Sequence, residues 1–278
     1  MKQLYDTLSF TNSRAVTNAY STSFSSGVSL LAPKLRNPIH GIYGFVRLAD
    51  EIVDSFHEYD QEALLDDFTQ QTQKAIRDRI SLNPILNSFQ HVVHDFGVEQ
   101  AHIDAFLKSM RMDLDRIQYD RNLYETYIYG SAQVVGLMCL HVFCEGDREL
   151  YERLKGHAMS LGSAFQKVNF LRDIQADVNQ LGRLYFPNIS FDRFTDADKR
   201  IIEREILDEF DDALKGIKQL PRSSKLGVYT AYSYYKGLLR RIMRTPAPML
   251  MEKRIRVPNL NKISLMLGSR TRVSLGQV

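Results

Sequence analysis

Two aspartate pairs sit inside otherwise apolar helical stretches, and no other feature restricts the fold of this chain as much. Asp50 and Asp54 lie in the stretch from Arg47 to Asp54, and Asp173 and Asp177 in the stretch from Gln166 to Asp177. Residues four apart are neighbours on one helix face, where two carboxylates repel unless water, a basic partner or a cation neutralises them. At about 100° per residue, Tyr43, Arg47, Asp50 and Asp54 share a wedge of roughly 60°, with Glu51 to one side. Ile42, Phe45, Val46, Leu48, Ala49, Ile52 and Val53 make the rest of that helix apolar. In the second stretch Gln166, Asn169, Asp173 and Asp177 span roughly 80°, Arg172 sits off the stripe, and Leu161, Phe165, Val168, Leu171 and Ile174 are apolar. A lone aspartate pair is an ordinary solvated face. Two matched pairs in apolar helices predict polar stripes lining a cavity, because buried unpaired carboxylates are costly. Brought face to face they offer hard oxygen ligands to Mg²⁺, with Mn²⁺ able to substitute, and leave the other positions to phosphate oxygens. The chemistry expected is ionisation of a diphosphate.

The remainder of the chain reads as all-helical. Apolar residues recur at three- and four-residue spacing, and prolines fall at boundaries. The pattern predicts helices near 12–31, 37–58, 61–80, 84–96, 99–118, 122–145, 147–181, 195–219, 224–244 and 260–267. Short connections favour antiparallel neighbours, hence one helical bundle over 1–278 with a ligand cavity among facing helices. Gly130 and Gly136, inside a helical pattern, are read as points where a partner helix or a ligand comes close to the backbone. The longest hydrophobic run, Ala132 to Phe143, is interrupted by Gln133 and His141 and is too short to span a bilayer.

Composition narrows the function classes. The formal charge of +3 over 278 residues argues against a nucleic-acid-coating protein. The locally basic tail from Lys253 to Arg272 suits lipid headgroups or a diphosphate. The first residues carry no apolar signal stretch, and the two cysteines, Cys139 and Cys144, lie in an apolar helix, so a reducing cytoplasm is expected, with peripheral membrane contact through the basic tail. No Gly-rich phosphate loop, dinucleotide fingerprint or His-Glu-x-x-His helix occurs. Nothing in the sequence sets an oligomeric state.

The two aspartate motifs together resemble those of the squalene and phytoene synthases, head-to-head prenyl synthases of the isoprenoid-synthase fold. The first motif is Asp50-Glu51-Ile52-Val53-Asp54; the second runs from Asn169 through Arg172, Asp173 and Asp177 to Gly182, Arg183, Tyr185 and Pro187. Ser21, Ser23 and Phe24 near the start, Tyr127 through Gly136 in the middle, and Tyr235, Arg254 and Lys262 near the end fall in the family's order. The resemblance implies that Asp50, Asp54, Asn169, Asp173 and Asp177 hold Mg²⁺ bridging substrate diphosphates, with Gln166 and Arg172 beside them. It further implies that Ser21, Ser23, Arg47, Tyr235, Arg254 and Lys262 contact diphosphate oxygens, and that Phe24, Tyr43, Tyr127 and Tyr185 line the reaction chamber. Gln133, Ala176 and Lys167 depart from the family pattern, which puts a third carboxylate on the second helix in doubt.

Three functions follow from that resemblance. The favoured one joins two geranylgeranyl diphosphates through a cyclopropylcarbinyl diphosphate to phytoene, without NADPH, for carotenoid biosynthesis. The second uses farnesyl diphosphate to make squalene, which needs NADPH, or dehydrosqualene. The third, from another class, is a non-catalytic assembly factor on the same scaffold. Val28, ~7.5 Å along the helix axis from Ser23 and one turn beyond Phe24, is expected to floor the pocket, its small side chain leaving room for a fourth isoprene unit.

Overall fold

The computed structural model of the chain describes residues 1–114, 119–176, 185–187, 194–252, 255 and 259–278, with side chains throughout except at 176, 259–264 and 266. Every regular element among these residues is helical, as the spacing predicts. Their order is α1 (Lys2–Tyr20), α2 (Thr22–Ser29), α3 (Pro33–Asp54), α4 (Gln61–Asp78), α5 (Pro84–Phe96), α6 (Gln100–Met112), α7 (Arg121–Ile128), a π-helical turn (Tyr129–Gln133), α8 (Val134–Cys144), α9 (Arg148–Ala176), α10 (Asp196–Ile217), α11 (Arg222–Met243), α12 (Ala247–Glu252) and α13 (Asn259–Ser274).

Local chemistry sets the boundaries. The predicted first helix is two: Ser21 adopts an extended backbone, ends α1, and caps α2 by accepting from the Phe24 N–H at 3.2 Å. Helix α1 also begins ten residues earlier than its apolar pattern indicates, because it docks through hydroxyls. Ser9, Ser13 and Thr17 are wholly buried, Ser13 bonds Ser88 at 2.7 Å, and Leu4 and Leu8 point outward. Asp60, Asn83 and Asp120 cap α4, α5 and α7, and a reciprocal Thr195–Asp198 capping box starts α10. Helix α6 ends at Met112, short of the expected 118, and α12 was not expected at all.

Two apolar clusters make the interior. One surrounds α3, where Phe45 stacks on Phe89 with ring centroids 4.0 Å apart and meets Phe106 at 5.3 Å. The other surrounds α9, α10 and α11, with Phe210 and Leu239 fully buried. Helix α8 feeds both, Val134, Met138 and Val142 to the first and Leu137, Leu140 and Cys144 to the second, which explains why it is apolar all round. The continuous run Arg121–Cys144, close to the predicted helix over 122–145, is long and apolar enough by composition to cross a membrane; in this fold it is wedged between α6 and α9.

The π turn is tied down by close backbone approach. A Cβ at Gly130 would stand 2.5 Å from the Ala105 carbonyl oxygen of α6, and one at Gly162 of α9 would stand 2.5 Å from the Ala132 carbonyl oxygen. Gly136 meets the Ala158 carbonyl oxygen in the same way, at 2.8 Å. The expected close approach at Gly130 and Gly136 is therefore helix packing.

Candidate active site

A cavity of about 600 Å³ lies between the two clusters. Its α9 wall is a helical stripe from Leu154 through Leu161, Phe165 and Asn169 to Asp173, roughly 28 Å along the axis at 1.5 Å per residue. One end is apolar, closed by Phe143, Leu154, Ile217 and Leu220. The other end carries Asp50 and Asp54 from α3 facing Asn169 and Asp173 from α9. Of the expected site residues, Phe24, Val28, Tyr43, Arg47, Asp50, Asp54, Tyr127, Gln166, Asn169, Arg172, Asp173, Tyr185 and Tyr235 all line this one space. Asp177 and Arg254 lie outside the described residues, as does the side chain of Lys262, whose backbone falls in α13.

On the α3 wall, burial pushes the Asp50 carboxyl up to about 8, and the like charge of Asp54 adds to this. Arg47, on the stripe of Asp50 and Asp54, finds its hydrogen-bond partner elsewhere. It pairs with Glu51, with Nε to Oε2 at 3.0 Å, and lies over the Tyr20 ring at 4.4 Å. A half-buried guanidinium needs an anion, and Glu51 one turn on supplies it without crowding Asp50 and Asp54. Tyr43 stacks on Phe24 at 4.8 Å and hydrogen-bonds Ser21; burial pushes its hydroxyl up to about 12. Ser21 and Ser23 are not in the lining: Ser21 caps α2 and holds Tyr43, and Ser23 is half-buried beside it.

On the α9 wall, Arg172, placed off the stripe by its helix angle, turns back onto Asp173 with contacts of 3.0 and 2.5 Å. Its long side chain bridges the angular gap that a Cα-based wheel assigns to it. Tyr235 of α11 stacks on Phe165 at 3.9 Å and hydrogen-bonds the Asn169 side chain, while Asn169 Oδ1 is buried without a hydrogen-bond partner among the described residues.

A fourth carboxylate of the lining escapes the sequence reading. Asp113, at the C-terminus of α6, accepts hydrogen bonds from Tyr127 at 2.7 Å and Tyr185 at 3.1 Å, lines the cavity, and adds to the field that raises Asp50. Around it Tyr185 stacks on Phe170 at 4.1 Å and meets Tyr127 at 5.0 Å. Burial, followed by Asp113, drives the Tyr127 hydroxyl well above the ordinary tyrosine range, so it stays a proton donor. Asp113 has no acidic neighbour four residues away inside an apolar helix, and its tyrosine partners are distant in sequence, so spacing gives no signal for it.

The donor set fits a hard divalent cation. The groups at the acidic end are carboxylates and an amide oxygen, with no histidine or cysteine among them. The unpartnered Asn169 Oδ1 and the raised Asp50 both call for positive charge. Among the described residues no three acidic, histidine or cysteine side chains form a closed cage. Mg²⁺ binds through one or two carboxylates and takes its other positions from water and substrate phosphates, so its binding does not require such a cage.

A family model described as squalene/phytoene synthase matches residues 17–261. The chain belongs to this family. It is 27% identical over 243 residues to phytoene synthase 1, chloroplastic, of Solanum lycopersicum, covering 80% of this chain and 58% of that one. It is 26% identical over 250 residues to the 15-cis-phytoene synthase of Synechocystis sp., covering 81% and 74%. The chain thus spans less than two thirds of the length of the first plant relatives it matches, 58% in each of two cases. Among solved structures, a dehydrosqualene synthase in complex with ligand superposes with a TM-score of 0.84 over 98% of both chains at 20% identity. The squalene synthase HpnC from Alicyclobacillus acidocaldarius superposes at 0.73 over 85% and 93%, at 23% identity. The all-helical squalene synthase fold expected from the motifs is the fold of this family member.

Proposed function

We propose that this protein is a prenyltransferase joining two geranylgeranyl diphosphates head to head, through a cyclopropylcarbinyl diphosphate, to phytoene. One observation carries the reading: a long apolar channel ends between two facing walls of oxygen donors. That is the shape of an amphiphile with a polyprenyl tail and a diphosphate head. Phytoene synthases among its relatives in plants and a cyanobacterium support the product.

Mg²⁺ held by Asp50, Asp54, Asn169 and Asp173 would supply Lewis-acid charge for diphosphate departure when bound. Arg47 and Arg172, now paired with Glu51 and Asp173, are placed to exchange those partners for diphosphate oxygens, which their planar forks match. The aromatic faces of Phe24, Tyr43, Phe165 and Phe170 line the space where an allylic cation forms, and ring faces attract cations. The apolar walls keep out water that would trap the cation as an alcohol. Tyr127, held by Asp113, is oriented toward the same space.

For chain length, the ~28 Å lining along α9 exceeds the ~20 Å that a sixteen-carbon main chain spans in extended form at somewhat over 1.2 Å per C–C bond. Val28 is buried and lines the cavity beside Gly27, with Gly227, Ala231 and Leu31 around it, so no aromatic ring stands among these neighbours. The farnesyl reading is favoured by the superposition on a dehydrosqualene synthase. Incubating purified protein with Mg²⁺ and either diphosphate, with and without NADPH, and identifying the hydrocarbon separates the readings. Phytoene from the C20 substrate without NADPH is expected. Exclusive turnover of farnesyl diphosphate, or no turnover of either, overturns the proposal.

A further inference from the structure

Two of the seven histidines meet outside the cavity lining. His102 stands in the first turn of α6 and His141 in the last turn of α8, with ring centroids 6.0 Å apart. Glu99 occupies the N-cap position of α6, yet its side chain caps nothing. Lying three residues before His102, it shares one side of that first turn with the histidine. Its carboxylate is 3.8 Å from His102 Nε2 and 4.0 Å from His141 Nε2. Glu-x-x-His is a spacing by which helical bundles present a carboxylate and an imidazole to one cation, and His141 adds a second imidazole from another helix.

The separations of 3.8 and 4.0 Å are too long for hydrogen bonds. His141 Nε2 and His102 Nδ1 are buried and have no hydrogen-bond partner among the described residues. Burial lowers the pKa of both rings, and for His141 the nearby His102 adds to the shift, so both are neutral and each keeps a lone pair. The other ring nitrogen of His141 bonds the Phe96 backbone, which leaves Nε2 turned toward Glu99. Metal-binding histidines are oriented by such a bond as a rule. Tyr151 of α9 stacks on His141 at 4.0 Å and covers it. Glu152, the other acid whose charge reaches His141, is paired with Lys155 at 2.5 Å.

We propose that Glu99, His102 and His141 form a binding site for a divalent transition-metal cation, Zn²⁺ above all, separate from the oxygen-lined end of the cavity. The donor chemistry decides the class of ion. Two imidazole nitrogens and one carboxylate suit zinc and its first-row neighbours, whereas Mg²⁺ and Ca²⁺ take oxygen. On a tetrahedral zinc shell neighbouring donors stand ~3.4 Å apart, and two imidazoles sharing the ion have centroids ~5 Å apart. The separations of 3.8, 4.0 and 6.0 Å each exceed those values by less than about 1 Å, so the trio is open and no closed cage. Glu99 closes it: its side chain is 54% exposed and has room to move inward. Three protein donors leave the fourth position to water. The cation then ties the start of α6 to the end of α8, reinforcing a joint that already rests on the approach of Gly130 to the Ala105 carbonyl oxygen. None of this depends on the prenyltransferase reading.

The test is titration of the metal-free full chain with Co²⁺, whose visible absorption reports tetrahedral nitrogen and oxygen donors, in excess Mg²⁺ to occupy the cavity end. One equivalent should bind and be displaced by Zn²⁺, in wild type and in Asp50→Asn/Asp173→Asn alike. Losing the partner that orients a ligating histidine costs about 10- to 100-fold in metal affinity, so losing the ligand itself in His141→Gln should cost at least about a hundredfold. Glu99→Gln, at an exposed position, should lose about tenfold or more and keeps the test readable if His141→Gln folds poorly. Zn²⁺ at a hundred times its Kd should raise the wild-type melting temperature by roughly 5 °C, and that of Glu99→Gln by less at the same concentration. Absence of the Co²⁺ band, undiminished affinity in both variants, or binding that Asp50→Asn/Asp173→Asn abolishes would overturn the proposal.

Discussion

Lys167 offers the sharpest check on the energetics of the fold. It lies on α9 among the cavity-lining residues in sequence, yet its side chain turns the other way, toward α10, where it is 4% exposed and 2.6 Å from both Glu205 and Glu209. The two acids respond oppositely. Burial would raise Glu205, but its hydrogen bond to Lys167 holds it below the usual carboxylate range; for Glu209, which is deeper, burial wins and the carboxyl is raised. Lys167→Met keeps most of the stem's packing and removes the charge. Stripping one partner from a buried pair costs about 3–5 kcal/mol, and because Glu205 is about one-third exposed and can be solvated, the low end, ~3 kcal/mol, is expected at pH 8. The pH dependence has a definite sign. Without its cation Glu209 is raised further in the folded state, so its unfavourable effect is absent below the unfolded carboxylate range and grows as pH rises through the folded value. Urea unfolding of wild type and variant should therefore show a deficit that shrinks from pH 8 to pH 5. Adding Glu205→Gln and Glu209→Gln should restore most of it. A loss under ~1 kcal/mol, or one independent of pH, would refute the reasoning.

Asp50→Asn and Asp173→Asn should each cut turnover at least about a hundredfold, the scale of one strong electrostatic stabiliser, with circular dichroism unchanged; near-normal product formation by either sinks the site assignment. Asp113→Leu removes the acceptor shared by two buried tyrosine hydroxyls and should cost ~2–3 kcal/mol in urea unfolding, against no loss if the tyrosines are satisfied elsewhere. Val28→Phe should lose geranylgeranyl turnover selectively while keeping farnesyl turnover, and equal loss on both would make Val28 purely structural. His40 is buried with Nδ1 3.0 Å from Thr17 Oγ1, and burial lowers its pKa from 6.5 to about 4, Arg14 adding to the shift. The unfolded chain then takes up the proton first, so stability should fall as pH drops from 6.5 toward 4, by up to ~3 kcal/mol from this group. His40→Gln should flatten that acid limb, measured as the urea midpoint against pH.

Where apolar spacing carries the signal, the sequence reading holds: α3, α5, α9 and α11 fall close to their predicted spans, and the two polar stripes converge on one cavity, Asp50 and Asp54 from α3 and Asn169 and Asp173 from α9. It fails where polar atoms do the packing. Residues 2–11 escaped detection as helix because Ser9, Ser13 and Thr17 form the inner face while Leu4 and Leu8 point out. The break at Ser21 is a single capping hydroxyl inside a pattern that reads as continuous. Asp113 and the pairing of Arg47 with Glu51 depend on tertiary neighbours and on side-chain reach, neither of which a helical wheel contains.

The hydroxyl seam under α1 gives this helix an unusual thermal signature. Detaching a helix normally bares an apolar face, which raises the heat capacity and risks aggregation; baring Ser9, Ser13 and Thr17 offsets part of the rise that Phe10 brings. Opening of α1 should thus leave little calorimetric trace before the main transition and appear in hydrogen exchange as a local event confined to the amides of the first twenty residues. Cooling, which weakens the cores around Phe45 and Phe210, should leave this seam comparatively untouched.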